Sequence, residues 1–490
     1  MAVIRALQSA LRRAVASAFV CLLLLVGGQA VLHAQAGDPS SATNPYFGSV
    51  TALPVTDEVL KLSLDDAVRR GLETNLGLKE AEAGEKYVHG EKQEALQEFL
   101  PTITLTGDTG VYQHNLAALG FGPGVFSKLG ALFPGGKLPP GLSSITRDDL
   151  TEGMIHYKQT LFSGPVIAGY AAAGAAERSY HFAKMSARGE VVQQVASAYL
   201  HAIAAASEVD NARALEQADQ VQFDNTHDEH VAGVASNLDE LRARVQLQAQ
   251  QQTLIAARNS LEKDLILLKR EIGIDPGQKI ALTDPAPYNE LAAETPEEVR
   301  AVAYKNRQDY QNLQNQVIEL KSLRNVYRSQ RWPTLSFSGY WGVSDVSGVG
   351  THGNFVAQGT LSVPLFREAR LHGDVESAQA NLDSINAQIA DLRGHIDQQV
   401  RSALLDVAAT QQLVQVARSN VDLASRELSD ETERVNAGVD NNLPLVTAQA
   451  SLASAQTNLV ESLYQYNLSK LALARAAGII ELQYRVYLGQ

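Results

Sequence analysis

The chain carries one pattern twice, as Leu100-Pro-Thr-Ile-Thr-Leu-Thr-Gly-Asp-Thr-Gly-Val111 and again as Trp332-Pro-Thr-Leu-Ser-Phe-Ser-Gly-Tyr-Trp-Gly-Val343. After each proline, apolar and hydroxyl side chains alternate with a period of two, which predicts a β-strand with one apolar and one polar face. The alternation recurs in Gly359-Thr-Leu-Ser-Val363 and, more weakly, in Ile155-His-Tyr-Lys158. Four strands are therefore predicted, at about residues 101–112, 153–162, 333–343 and 354–364.

Two environments produce this alternation: a transmembrane barrel, or a soluble antiparallel sheet with one face on a core. The loop that contains Leu119-Gly-Phe-Gly-Pro-Gly-Val125 has no charge cluster and favours the barrel, because an external barrel loop tolerates such a sequence. Aromatic residues then form the predicted interfacial belts: Trp332, Trp341, Tyr112 and Tyr340. Four strands cannot close a barrel, so several chains must share one.

The repeat extends beyond the strands. Ala232-Gly-Val-Ala-Ser-Asn-Leu238 matches Ala437-Gly-Val-Asp-Asn-Asn-Leu443, and Arg270-Glu-Ile-Gly-Ile274 matches Arg475-Ala-Ala-Gly-Ile479. Three matches in one order indicate an internal duplication. We assign the first structural repeat to 61–285 and the second to 295–480. Each opens with a helix, capped at Ser63 and at Thr295, where an acidic residue follows three positions on.

Each repeat ends in two long helices around a turn, near residue 233 and near residue 438. Segments 164–230, 236–272, 371–435 and 445–477 are rich in Ala, Gln, Glu, Val and Leu, and ~65 helical residues extend ~100 Å. Such helices bury their apolar stripes against one another, with Val191, Val195 and Ile203 inside and Glu208 outside. The predicted fold is mainly α with β: long antiparallel helical hairpins in an α-barrel, plus four strands per chain in a shared transmembrane β-barrel.

The N-terminus has three arginines, an apolar run at 15–26 and Ala34-Gln-Ala36, which predict a secretory signal peptide over 1–36. A linker over 37–60 and a C-terminal tail over 481–490 flank the repeats. No later stretch approaches the ~20 apolar residues of a spanning helix. The only cysteine is Cys21, inside the expected signal, so disulfides and cysteine-based zinc sites are excluded from the mature chain.

Charge and motif content argue against other classes of function. The 54 acidic residues outnumber the 41 basic ones, which is unfavourable for binding nucleic acid. His227-Asp-Glu-His230 spaces two imidazoles by three residues with no evident third ligand, so we predict a solvated helix face and no metal site. The chain has no nucleophile elbow and no phosphate-binding loop. We therefore expect neither an enzyme nor a cofactor.

The doubled order of elements, the prolines Pro101 and Pro333, and the turn glycines Gly233 and Gly438 resemble the outer-membrane efflux protein family (TolC-like) over about 61–480. The resemblance implies a homotrimer in the outer membrane with a periplasmic helical extension. It also implies a passive exit duct of a tripartite efflux or type I secretion system. The implied partners are outer-membrane lipid, a periplasmic adaptor (membrane fusion) protein and an inner-membrane transporter.

The resemblance places the functional residues at the two helical turns. Those expected to dock an adaptor are Gly233, Val234, Leu238, Gly438, Val439 and Leu443. In this family an acidic pair commonly follows the second glycine and narrows the tube, but Pro444 and Thr447 stand at those positions here. We therefore predict an aperture formed by Asp440, Asn441 and Asn442.

The alternative interpretation is a periplasmic coiled-coil scaffold or adaptor protein without a pore. An adaptor would be expected to carry one helical hairpin beside a compact β-domain. Two hairpins joined to paired alternating strands favour the channel.

Overall fold

The computed structural model describes residues 41–51, 54–120, 122–133, 135, 145–234, 236–285, 287–292, 294–346, 350–437 and 442–489. The expected signal peptide, 1–36, lies outside these residues. The helices are α1 (Leu64–Thr74), α2 (Leu76–Gln97), α3 (Pro123–Gly130), α4 (Gly164–Val231), α5 (Asn237–Glu271), α6 (Pro296–Asn306), α7 (Gln308–Ser329), α8 (Glu368–Asn436), α9 (Asn442–Ala476) and α10 (Ile480–Leu488). The strands are β1 (Leu60–Leu62), β2 (Thr102–Asn115), β3 (Ile145–Phe162), β4 (Ile280–Leu282), β5 (Thr334–Val346) and β6 (Gly350–Ser362).

The long helices of each repeat pair as predicted, α4 with α5 and α8 with α9. The first helix of each pair has 68 and 69 residues respectively, which corresponds to roughly 100 Å of rise. Val191, Val195 and Ile203 are buried, as the stripe prediction requires. The prediction for Glu208 was wrong: this carboxylate is half-buried and accepts a hydrogen bond from Thr457 Oγ1 at 3.2 Å, because α9 packs over it.

Helix starts follow the predicted caps. The Ser63 hydroxyl accepts from the Asp66 amide, and Thr295 and Glu298 form a capping box. The single helix expected at the start of each repeat is two helices, broken at Asn75 and at Arg307. The break at Asn75 has a local cause, because its amide side chain accepts from the Leu78 amide and caps α2.

The four long strands form one antiparallel sheet in the order β2-β3-β5-β6. Strands β2 and β3 extend beyond the predicted 101–112 and 153–162, because polar residues continue their pairing up to Asn115 opposite Ile145. Strand β3 also pairs with β5, and this pairing joins the two repeats. The outer edges of β2 and β6 have no neighbouring strand among the described residues.

The main core lies where the short helices meet the long ones, on the helical side of the sheet. Tyr199 is fully buried there, and its hydroxyl donates to Leu62 O at 2.9 Å, at the end of β1, which pairs in parallel with β4. Residues 481–490 were expected to be a tail, but α10 occupies most of them. Burial of Tyr484, Tyr487 and Leu488 stabilises this short helix against the core.

Candidate membrane-facing and tip surfaces

The sheet has one apolar face, and that face is exposed. The register places Ile155 between Leu105 and Trp341, and Trp341 beside Phe355, so odd-numbered side chains line up across four strands. Exposed fractions along this face are 77% for Leu105, 61% for Trp341, 72% for Phe355 and 65% for Leu361. An apolar surface this continuous is unusual on a water-soluble protein and typical of a surface that contacts lipid or another protein.

The opposite face is polar and internally hydrogen-bonded. Thr106 Oγ1 lies 3.1 Å from His156 Nε2, and Ser344 donates to Glu152 at 2.8 Å. Asn354 donates in turn to Ser344. The residues that the strand pattern assigned to the polar side lie on this face: Thr104, Thr106, Ser336 and Ser338.

The predicted aromatic belt was wrong for two residues. Tyr340 and Tyr112 lie on the polar face, because neighbouring side chains of a strand point to opposite sides and Trp341 occupies the apolar one. Trp332 precedes β5 and is half-exposed at the junction between sheet and helices.

None of the described helices has both the length and the apolarity that a membrane span requires.

The first helical turn is described except for residue 235. Gly233 has φ 78°, which glycine adopts without steric cost, and Ser236 caps α5 through the Asp239 amide. Val234 is 80% exposed and Leu238 is 55% exposed. Leu241 and Val245 extend this exposed apolar stripe along α5. A cavity of ≈ 420 Å³ lies beside the stripe and reaches Val446 of α9.

The second helical turn is described only in part. Gly438, Val439, Asp440 and Asn441 lie outside the described residues. Asn442 is the first residue of α9 and Leu443 follows it, but their side chains are outside the described set. The aperture and docking assignments at this turn stay predictions.

The structure adds a third group to the histidine pair of α4. His227 Nδ1 lies 2.9 Å from Glu240 Oε1, and His230 Nε2 lies 3.7 Å from Glu240 Oε2. Glu240 belongs to α5, so this contact braces the hairpin just inside its turn. Sequence spacing missed it because the contact depends on the register set by the Ser236 cap. No metal-binding group of three or more such residues occurs within the described ranges.

A second polar cluster, which no sequence motif marks, lies in a cavity of ≈ 520 Å³ between α4, α8 and α9. Arg307 contacts Asp309 at 2.6 Å and donates to Gln399 at 2.6 Å, while Arg475 contacts Glu190 at 3.0 Å. Burial raises the pKa of Asp309, but hydrogen bonding from Arg307 outweighs it, so the net shift is downward. The cluster holds the α6–α7 break against the second hairpin.

Sequence comparison identifies relatives of the chain. The family model described as outer membrane efflux protein matches residues 67–273 and 299–479. The alkaline protease secretion protein AprF of Pseudomonas aeruginosa is 24% identical over 306 residues, and the outer membrane protein TolC of Escherichia coli is 23% identical over 317 residues. Both alignments cover 60% of this chain and 62% of the relative, less than two thirds of its length.

Solved structures share the fold. The Campylobacter jejuni CmeC outer membrane channel is 15% identical with a TM-score of 0.66, covering 85% of this chain and 86% of that one. The Vibrio cholerae outer membrane protein VceC is 17% identical with a TM-score of 0.67, covering 85% and 96% respectively. The family model spans both repeats, with their paired strands and long hairpins. The chain therefore belongs to the outer membrane efflux protein family.

Proposed function

We propose that this chain is a subunit of an outer-membrane exit duct that passively carries small molecules or proteins out of the periplasm, in a tripartite efflux or type I secretion system. The proposal rests on one observation: the same chain contains a sheet with an exposed apolar face and very long helices. The apolar face of the four-stranded sheet is suited to lipid. Helices α4 and α8, each roughly 100 Å long, begin shortly after the return strands β3 and β6.

The sheet supports a barrel shared between copies. Its strands have 13 to 18 residues, more than the ~9–11 needed to cross a bilayer. In lipid, the free backbone groups along β2 and β6 would each cost several kcal/mol, so these edges must be paired. A homotrimer, with four strands from each chain, satisfies them without an additional protein.

The helical turns near residues 233 and 438 carry apolar residues suited to docking an adaptor protein. Val234 and Leu238 are exposed on the first turn, and Val439 and Leu443 are the matching residues of the second. We assign these apolar tips to an adaptor protein, which links the duct to an inner-membrane transporter that supplies the energy. The name of the relative AprF refers to secretion of a protease, and we assign protein cargo to this chain by analogy with it.

At the aperture, Asp440 from each copy would form a ring of negative charge that favours cations. Single-channel recordings of Asp440→Asn, with Asn441→Asp as the opposite change, test this assignment. We expect lower cation selectivity in the first variant and equal or higher selectivity in the second. Unchanged selectivity in Asp440→Asn would remove Asp440 from the aperture.

Electron microscopy of detergent-extracted protein from the outer-membrane fraction tests the duct itself. The expected particles are three-fold tubes with a helical part of roughly 100 Å, and the same preparation should conduct ions in a planar bilayer. A pore-free periplasmic scaffold would instead wash off the membrane and give no conductance.

A further inference from the structure

The internal repeat allows each residue of the first repeat to be matched with its equivalent in the second, including the residues of the edge strands β2 and β6. Thr102 pairs with Lys158 and Thr334 pairs with Ser362, so residue numbers shift by 232 between the leading strands and by 204 between the return strands. The same shifts carry α2 (Leu76–Gln97) onto α7 (Gln308–Ser329), and Gly164 onto Glu368, the first residues of α4 and α8. The two repeats therefore correspond residue by residue around the sheet.

The β3–β5 pairing inside the chain is a template for the contact between chains. There, a return strand from the first repeat meets a leading strand from the second, with His156 opposite Tyr340. The equivalent return strand of the second repeat is β6, and the equivalent leading strand is β2. Within the part of the chain that the structure describes, neither has a second strand neighbour, and four strands cannot close on themselves, so β2 must come from another copy. Applying the two shifts to His156 and Tyr340 gives Thr360 opposite Asp108.

This register keeps the two faces of the sheet continuous. Odd-numbered residues of β6 meet odd-numbered residues of β2, so Ala357 lies opposite Val111 on the apolar face. Thr360 and Asp108 both lie on the polar face. A slip by one residue would place apolar side chains on the polar side, which strongly disfavours that pairing.

Two glycines give independent support. A Cβ on Gly342 of β5 would overlap the carbonyl oxygen of Gly153 in β3, so that close strand pairing requires glycine. Its counterpart is Gly110 of β2, where the atoms nearest to an added Cβ belong to the Tyr112 side chain, at 3.3 Å or more, and not to a neighbouring strand. Gly110 thus matches a close strand approach that its own chain does not make.

Two apolar side chains that follow β6 are also more exposed than their equivalents in the first repeat. Leu365 and Phe366 are 94% and 86% exposed, whereas their counterparts Leu161 and Phe162 are 54% and 42% exposed, and Phe162 pairs with Leu335 of β5. Phe366 is the equivalent of Phe162, and Ile103 is the equivalent of Leu335. Ile103 of the next copy would therefore cover Phe366.

We propose that β6 of one copy pairs antiparallel with β2 of the next copy, with Thr360 opposite Asp108 and Gln358 opposite Gly110 of the partner subunit. This register rests on the proposed function, because it requires the shared barrel. The register fixes which residues face each other at each junction between copies.

Disulfide crosslinking tests the register, because Cys21 is the only native cysteine and lies in the expected signal. Thr360→Cys with Asp108→Cys should give covalent dimers and trimers on non-reducing denaturing gels of oxidised membranes. The matched pair Thr360→Cys with Thr106→Cys, shifted by two residues on the same face, should crosslink at least several-fold less. Preferential crosslinking of the shifted pair, or none by either pair in three-fold tubes, overturns the register alone. Absence of any oligomer overturns the duct as well.

Gly110→Val gives a second test that does not require crosslinking. A valine there should reduce trimer yield several-fold, while the single chain keeps its helical content. Gly107→Val is the control, because a Cβ at Gly107 meets only Glu152 O at 3.9 Å and its apolar-face position tolerates valine. Wild-type trimer yield for Gly110→Val would contradict the proposed close approach of β6.

Discussion

Glu85 of α2 and Lys184 of α4 form an ion pair, with 2.5 Å between Oε2 and Nζ. The contact is repeated in reverse between Glu177 of α4 and Lys92 of α2, also at 2.5 Å. Each carboxylate also contacts a histidine of the opposite helix, His181 at 2.8 Å from Glu85 and His89 at 2.7 Å from Glu177. Each helix therefore presents Glu, His and Lys at the same spacing, in antiparallel order.

This reciprocal arrangement disfavours sliding of α2 along α4. A slip of one helical turn in one direction would place Glu85 opposite Glu177. The opposite slip would place His89 opposite His181 and bring the lysines toward the imidazoles. The first misaligned register puts two carboxylates together, which is unfavourable at this separation, and both registers separate the carboxylates from their lysine partners.

The first prediction concerns this register. Glu85→Lys should destabilise the protein by about 1 kcal/mol or more, because two lysines then face each other, and adding Lys184→Glu should restore most of the loss. Denaturant unfolding of the wild type, both single variants and the double variant measures the coupling. Additive losses in the double variant would show that the pair does not hold the register.

The second prediction concerns the apolar face of the sheet. Leu105→Lys should reduce stable membrane insertion, since lysine on a lipid-facing strand costs up to ~2–4 kcal/mol, depending on its depth in the bilayer. Thr104→Lys, the adjacent residue on the polar face, should insert normally. Quantifying each variant in the outer-membrane fraction checks this. Equal insertion of both variants would mean that the exposed face is not in contact with lipid.

The third prediction concerns the glycine that ends the second hairpin. Gly478 has φ 74°, and a Cβ there would lie 2.7 Å from the Arg307 amide nitrogen at the α6–α7 break. Gly478→Ala should therefore lower the free energy of unfolding by about 2 kcal/mol or more, from left-handed strain and overlap. Thermal unfolding measures the change.

Gly394→Ala is the matched control for Gly478→Ala. Gly394 lies on the exposed side of α8, where an added Cβ would meet no atom of the described residues within 4 Å, so alanine should stabilise the helix by roughly 0.5–1 kcal/mol. Equal effects of the two substitutions would contradict the assigned role of Gly478.

The fourth prediction concerns a buried acid. Glu271 is fully buried, accepts from Gln194 at 3.0 Å, and its Oε2 atom has no hydrogen-bond partner among the described residues. Burial raises the pKa of Glu271 from 4.5 to about 7 despite the Gln194 bond. Between these two pH values the native state keeps a proton that the unfolded state has lost, so stability falls as pH rises through this window.

Glu271→Gln removes that dependence. The variant should be more stable than the wild type above pH 7, by up to about 3 kcal/mol, and close to it near pH 4. Melting temperatures across this range check the sign, with the exposed Glu73→Gln as the control. A gain that does not vary with pH would show that ionisation of Glu271 is not the cause.

Sequence periodicity was sufficient for elements whose signals are local. The caps at Ser63 and Thr295 marked helix starts, and period-two alternation located the strands. The break at Arg307 was missed because neither proline nor glycine marks it, and contacts with Asp309 and Gln399 hold it in place.

Features that depend on tertiary packing were not predictable in this way. Helix α10 depends on burial of Tyr484 against a core assembled from distant segments. The contact between His227 and Glu240 requires the register of a whole hairpin. The wrong assignment of Tyr340 to the aromatic belt, in contrast, could have been avoided. Side chains alternate along a strand, so Tyr340 and Trp341 must lie on opposite faces.

The two numbering shifts, 232 and 204, differ by 28 residues, and this difference lies in the connection between β2 and β3. Elsewhere around the sheet the repeats have equal lengths. A ring of three such chains would thus have six nearly equivalent sectors in its wall, with a long connection on every second sector at one rim. Its three-fold character would be concentrated at that rim, and the remainder would approximate six-fold symmetry.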